Sequence, residues 1–172
     1  MKIISFLVIS IFALSSNANA GECSKEKAKK EVERVCAEIA ETGKKPKTKS
    51  LIFENCGKNY IWIQDTDEKI TMVSHPIKRR LNGKALNENK DENGLKLFVE
   101  FNIEAHRVAR KPASASGEAI AAGKHNNGWV DYMWAKPGAE KATAKTSYVK
   151  LCQGPNNVSW IAGSGIWKED LK

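Results

Sequence analysis

Between Ser24 and Thr42 the apolar residues Ala28, Val32, Val35, Cys36 and Ile39 recur at helical spacing, and Lys, Glu and Arg fill most positions between them. Such spacing places the apolar side chains on one stripe of a 3.6-residue repeat, so the segment is predicted to be an amphipathic helix with a single buried face. Ser24 is suited to cap its start and Gly43 to end it. Pro46 stops any continuation, so Lys44-Lys45-Pro46-Lys47-Thr48-Lys49 reads as a basic, solvated turn.

The period then changes. Tyr60-Ile61-Trp62-Ile63-Gln64 is rich in aromatic and β-branched residues and reads as a strand. A turn at Asp65 to Glu68 leads into a second strand from Lys69 to Ser74, which together predict a hairpin. His75-Pro76 ends that hairpin, and a loop-rich stretch punctuated by Asn82-Gly83 and Asn93-Gly94 leads to a short amphipathic helix around Leu95 to Val108. From Arg110 to Asn127 the composition shifts to Ala, Ser, Gly and Lys, the mark of a flexible insertion with at most a weak helical turn at Glu118 to Ala122. Three strands follow, Gly128 to Trp134, Thr146 to Cys152 and Ser159 to Trp167, separated by turns at Pro137-Gly138 and Gly154-Pro155-Asn156-Asn157. This order predicts an α+β fold with a five-stranded antiparallel sheet and its helices segregated to one side. No internal repeat is present at solenoid periods.

Strand alternation puts Tyr60, Trp62 and Gln64 on one face and Ile61 and Ile63 on the other. The aliphatic face is expected to meet the N-terminal helix. The aromatic and polar face, joined by Tyr132 and Trp134, then offers a mostly apolar surface with a few hydrogen-bonding groups, as a small-ligand pocket requires. The same aromatics would also serve as plain core.

The first twenty residues change where this domain is expected to work. Lys2, an apolar run from Ile3 to Leu14 and the small residues Ala18-Asn19-Ala20 make a secretory signal peptide over residues 1–20. The run is about a dozen residues, short of the roughly 20 that span hydrocarbon. Glu22 stands where a lipidated Cys23 would want a small residue. The expectation is a single domain over residues 21–172, periplasmic or secreted and not membrane-embedded after cleavage.

A formal charge of +8 biases the surface toward anionic partners. The lysines are scattered, without a recognition helix or RNP-like motif, so no nucleic-acid partner is expected. Four cysteines, Cys23, Cys36, Cys56 and Cys152, all follow the leader, and an even number in an oxidising compartment argues for two disulfides. No paired zinc spacing, C-x-x-C or C-x-x-C-H occurs, which removes the main support for a metal, a redox centre or haem, so no cofactor is expected. The sequence also lacks a G-x-S-x-G elbow and an H-E-x-x-H pair, while Asp65 and Asp67 flank a turn where backbone bonding accounts for them. An enzyme is therefore not expected. Gly163-Ser164-Gly165, in a strand with no helix after it, reads as close packing and not as a phosphate loop.

Several blocks in order carry a family resemblance: Tyr60-Ile61-Trp62-Ile63-Gln64-Asp65, Ser74-His75-Pro76, Leu81-Asn82-Gly83-Lys84-Ala85-Leu86, Gly128 to Gly138, Lys145 to Lys150 and Trp160 to Ile166. Together they resemble the single Cache domain family, the extracytoplasmic PAS-like sensor fold. The resemblance implies a PAS-like five-stranded antiparallel sheet with a long N-terminal helix, one face of which holds a small organic ligand under a helical and loop cover. Members bind short carboxylates, amino acids or amines, usually as the sensing part of chemoreceptors and histidine kinases. The Ala/Ser-rich stretch departs from the pattern by being longer than the expected connection.

On that resemblance the ligand-binding candidates are Tyr60, Trp62, His75, Tyr132, Trp134, Lys145 and Tyr148, with Arg79 as a further donor. A lysine near two tyrosine hydroxyls can make charge-assisted hydrogen bonds to a carboxylate, about twice as strong as neutral ones. Lys145 and Tyr148 are three residues apart and share a face only if a bulge intervenes. His75 suits either a structural role or a ligand contact. For the disulfides, Cys23 and Cys36 on one helix stand about 20 Å apart and cannot pair. The strand directions implied by the resemblance then give Cys36 with Cys56 and Cys23 with Cys152. The expected function is a periplasmic sensor that binds a short carboxylate and signals through a membrane receptor or kinase. The alternative is a PAS-like interaction module that binds a protein or envelope polyanion without a small ligand.

Overall fold

The computed structural model describes residues 23–55, 57–107 and 126–171. The expected leader, Cys56 and residues 108–125, which hold most of the Ala/Ser-rich stretch, lie outside the described residues.

Helix α1, Lys25–Thr42, forms where the stripe predicted it and buries Ala28, Val32, Val35, Cys36 and Ile39. The Ser24 hydroxyl accepts a hydrogen bond from the Lys27 amide, which satisfies one donor of the open first turn. Gly43 ends the helix with φ of 61°, and its amide donates to the Ile39 carbonyl. A single turn of 3₁₀ helix, Thr48–Leu51, follows.

Two short strands, β1 (Ile52–Glu54) and β2 (Lys58–Tyr60), form a small sheet of their own. The main sheet has five antiparallel strands: β3 (Trp62–Asp65), β4 (Met72–Ser74), β5 (Asn127–Ala135), β6 (Ala142–Gly154) and β7 (Val158–Trp167). Their spatial order is β4-β3-β7-β6-β5. The run expected as one strand from Tyr60 to Gln64 is therefore divided at Ile61, whose amide turns aside to the Leu51 carbonyl. Side chains replace the lost ladder bonds at the break. The Asn59 amide donates to the Gly165 carbonyl, and the Ser164 hydroxyl donates to the Tyr60 carbonyl. The expected second strand is shortened at its start, where Ile70 takes φ of 52° in the turn. Asp65 and Asp67 hold that turn by accepting the Thr71 and Ile70 amides.

Helices cover both faces of the sheet, not one as the element order suggested. On one face α1 packs its stripe against Ile61, Ile63, Tyr148, Cys152 and Ala162. On the other, helix α2 (Leu97–His106) buries Leu97, Phe98, Phe101 and Ala105 against the aromatic side. Each sheet face is apolar, so each needs its own cover.

The disulfide pairing differs from the expected one. Cys36 bonds to Cys152, with Cα atoms 4.8 Å apart, and Cys23 is likewise disulfide-bonded. The reason is the direction of α1 along the sheet. Its start is tied to Asn55 through reciprocal backbone and side-chain hydrogen bonds at Ser24. Its end abuts the β6–β7 hairpin, where a side chain at Gly43 would collide with Pro155. The helix thus runs parallel to β6, and Cys36, not Cys23, comes over the end of that strand.

Candidate functional site

Alternation along β3, β5, β6 and β7 sends Trp62, Tyr132, Trp134, Lys145 and Trp167 to the face beneath α2, and Tyr60, two residues before Trp62, joins them there. Phe98 and Phe101, one helical turn apart on α2, come down edge-on against Trp134 and Tyr132. Between these walls lies a hollow of about 10 Å³ lined by Tyr60, Trp62, His75, Leu97, Phe98, Phe101, Tyr132 and Trp134. That is room for about one water molecule, far below the range of about 300–1,000 Å³ that holds drug-sized ligands. A larger occupant requires the walls to part.

Lys145 is fully buried at the floor of this region. Its Nζ donates to the Tyr60 hydroxyl at 3.1 Å and lies 4.1 Å from the centre of the Trp167 ring and 4.4 Å from that of Tyr60. Among the described residues no Asp or Glu is buried, so the ammonium has aromatic faces and one hydroxyl for company but no counter-charge. Burial, reinforced by the nearby charge of Lys78, holds its pKa well below the usual lysine value. The Tyr60 hydroxyl also accepts from the Trp134 indole at 3.0 Å, and burial raises its pKa. The Tyr132 hydroxyl shares a hydrogen bond with Ser147 at 2.9 Å.

His75 closes one side of the hollow, its ring 4.8 Å from that of Tyr60. Its Nδ1 accepts the backbone amides of Lys78 at 3.0 Å and Ile77 at 3.3 Å, which fixes the proton on Nε2. Burial, then the charges of Lys145 and Lys78, press its pKa down to about 3, so the ring is neutral at ordinary pH. The same turn brings the Lys78 ammonium over the Trp134 ring, 3.7 Å from its centre. Two lysine amino groups and four aromatic N–H or O–H groups, from Tyr60, His75, Tyr132 and Trp134, therefore converge on a site with no balancing anion among the described residues.

Of the seven candidates drawn from the sequence, six gather here: Tyr60, Trp62, His75, Tyr132, Trp134 and Lys145. Tyr148 does not. The β6 register is continuous from Lys145 to Tyr148, so without a bulge the two side chains point to opposite faces. Tyr148 lies under α1, with its hydroxyl 3.5 Å from Glu33 and its ring 5.6 Å from that of Trp129. Arg79 is exposed in a 3₁₀ turn. Sequence reasoning missed Phe98, Phe101, Trp167 and Lys78. The first two carried a signal in their three-residue spacing on an amphipathic helix, and Trp167 in its alternation with Ile161 and Gly163. Lys78 carried none, because its position depends on the turn that His75 organises. Among the described residues no cluster of three or more His, Cys, Asp or Glu side chains is placed to hold a metal ion, and no helix is long and apolar enough to cross a membrane.

Comparison with known proteins places this geometry. Over 114 residues the chain is 31% identical to the methyl-accepting chemotaxis protein McpP of Pseudomonas putida, a match that covers 66% of this chain and 17% of McpP. The chain thus spans only a small part of that relative. Among solved structures it is similar to a periplasmic sensor domain of a chemotaxis protein, with 29% identity, a TM-score of 0.54 and coverage of 83% of this chain and 89% of the other. It is also similar to a Cache chemosensory domain solved to explain carboxylic acid recognition, with 25% identity, a TM-score of 0.52 and coverage of 83% and 87%. A family model described as Cache domain matches residues 47–172, from the basic turn after α1 to the last residue. With that match over most of its length, on a five-stranded sheet with a hollow under α2, the chain belongs to the Cache domain family.

Proposed function

We propose that this protein is an extracytoplasmic sensor domain that binds a short carboxylate in the hollow beneath α2 and passes the event to a membrane-associated signalling partner. The observation that carries the reading is Lys145, a buried basic group with no counter-charge among the described residues. Burying an unpaired charge is costly, and a ligand carboxylate would compensate it with charge-assisted hydrogen bonds. The ligand's carboxylate would sit against Lys145 and Tyr60. Its short alkyl part would lie among Trp62, Phe98, Phe101, Tyr132 and Trp134. His75 and Lys78 would face it from the side.

Export and signalling rest on kinship and on the leader expected at residues 1–20. The similar chains are sensor domains of chemotaxis proteins, and one of them concerns carboxylic acid recognition.

Thermal unfolding of the purified protein with millimolar acetate, propionate, amino acids or amines tests this reading. A binder is stabilised by about 2.7 kcal/mol at a hundredfold excess over Kd. Stabilisation by the acids, lost in Lys145→Met, is the expected result. An unchanged melting temperature with every acid would sink it.

A further inference from the structure

Of the eight residues that line the hollow, seven are buried and Trp134 is part-exposed. Trp134 stands on β5, an edge strand of the sheet, so its ring is the wall that solvent reaches. With room for about one water, the hollow takes a larger occupant only if a wall moves. The roof is tied down. The Gln64 side chain donates to the Phe98 carbonyl at 2.9 Å, and the Asp91 carboxylate, which accepts the Leu95 amide, also accepts the Met133 amide of β5. The Trp134 indole is held from within by one hydrogen bond, from its Nε1–H to the Tyr60 hydroxyl at 3.0 Å.

From the other side the Lys78 ammonium lies on the same ring, 3.7 Å from its centre. The backbone that carries it is fixed. His75 Nδ1 accepts the Ile77 and Lys78 amides, Asn82 Oδ1 accepts the His75 amide, and the Leu81 amide donates to the Lys78 carbonyl. What is free to move is the flexible four-carbon stem. Among the described residues neither Lys78 nor its exposed neighbours Arg79 and Arg80 forms an ion pair, so the ring face is the partner of the Lys78 charge. Such a contact at a part-exposed site shifts an equilibrium by about twofold to fivefold. It is strong enough to bias the ring and weak enough to be given up.

We propose that Trp134 is the door of the hollow and Lys78 its latch: the ammonium holds the indole shut, and the site opens when Lys78 leaves the ring and the indole swings outward. An anion near the turn, where Arg79 and Arg80 add two exposed cations, offers the ammonium charge-assisted hydrogen bonds in place of the ring and so draws the latch. This last step rests on the carboxylate reading of the same hollow. The door itself does not, because it is built from the ring, the turn and the lack of room behind them.

Hydrogen exchange of the Trp134 indole proton, followed by NMR in the ligand-free protein with its disulfides intact, tests the door. Lys78→Gln, which removes the charge, should speed that exchange by about threefold or more. Lys78→Arg, which keeps a cation over the ring, and Arg79→Gln, which leaves Lys78 in place, should both keep the unmodified rate. The Trp129 indole, on the face beneath α1, should be unaffected in every variant. An unchanged Trp134 rate in Lys78→Gln, or an equal acceleration at Trp129, would overturn the proposal. Stopped-flow mixing with propionate at high salt, where long-range steering is screened, tests the route. A door that opens more often should speed both association and release in Lys78→Gln by about the factor seen in exchange. Faster release with unchanged association would make Lys78 a ligand contact and not a latch, and overturns the proposal. If propionate does not bind the unmodified protein, the exchange rates alone decide the door, and it is the carboxylate reading that falls.

Discussion

The Nζ of Lys145 lies 3.1 Å from the hydroxyl of Tyr60, and this is the hydrogen bond that fixes the buried amino group. Burial lowers the lysine pKa and raises that of the tyrosine, so each group favours its neutral form before a ligand arrives. An incoming carboxylate reverses the preference at Lys145. Carboxylate binding is therefore expected to be accompanied by proton uptake and to strengthen as pH falls toward neutrality from 9. Calorimetry in buffers of different ionisation enthalpy measures the uptake directly. Binding without any proton exchange, equal at pH 7 and 9, would show that Lys145 is already charged in the empty site.

His75 gives a separate pH signature on stability. Its folded pKa is about 3 against about 6.5 unfolded, so between those values the unfolded chain holds the extra proton. Stability then rises with pH through that window and is lost as pH falls through it. Between pH 7 and pH 5 the loss from this one ring is about 2 kcal/mol. Urea unfolding at the two pH values should show that difference, and His75→Asn should remove most of it.

The Cys36–Cys152 bond closes a loop of 116 residues and fastens α1 to the face of the sheet opposite the hollow. Replacing both cysteines by alanine should cost about 2–4 kcal/mol of stability. Carboxylate affinity should change by less than about threefold, because α1 packs on the face of the sheet opposite the hollow. A large loss of affinity in a folded double variant would show that the two faces are coupled.

Helix α1 and the long strands β5, β6 and β7 were legible in the sequence because each carries an uninterrupted period and a clear stop. The pocket face was legible for the same reason, since Tyr60, Trp62, Tyr132 and Trp134 alternate with residues of the opposite face. The break between β2 and β3 was hidden inside a continuous apolar run, and its cause lies in Asn59 and in Ser164, a residue distant in sequence. Strands β1 and β2 are three residues each, too short for a periodic signal. The disulfide pairing depended on which way α1 runs along the sheet, a tertiary choice that neither periodicity nor spacing encodes. Lys145 was found as a donor, but its lack of a counter-charge among the described residues could be seen only once its neighbours were in place.

Gly163 faces Trp62 across the β3–β7 pair, and a Cβ there would run into the six-membered ring of the indole. The glycine is held by β3 on one side and β6 on the other, so its backbone has little freedom to retreat. The indole must yield instead, and the hollow it lines is the space open to it. Gly163→Ala is expected to lose about 1–3 kcal/mol of stability through overpacking. It should also weaken carboxylate binding, because Trp62 would then occupy ligand space. A crystal structure of the variant with Trp62 unmoved, or an unchanged affinity in titration, would show that the sheet and not the indole absorbs the extra methyl group.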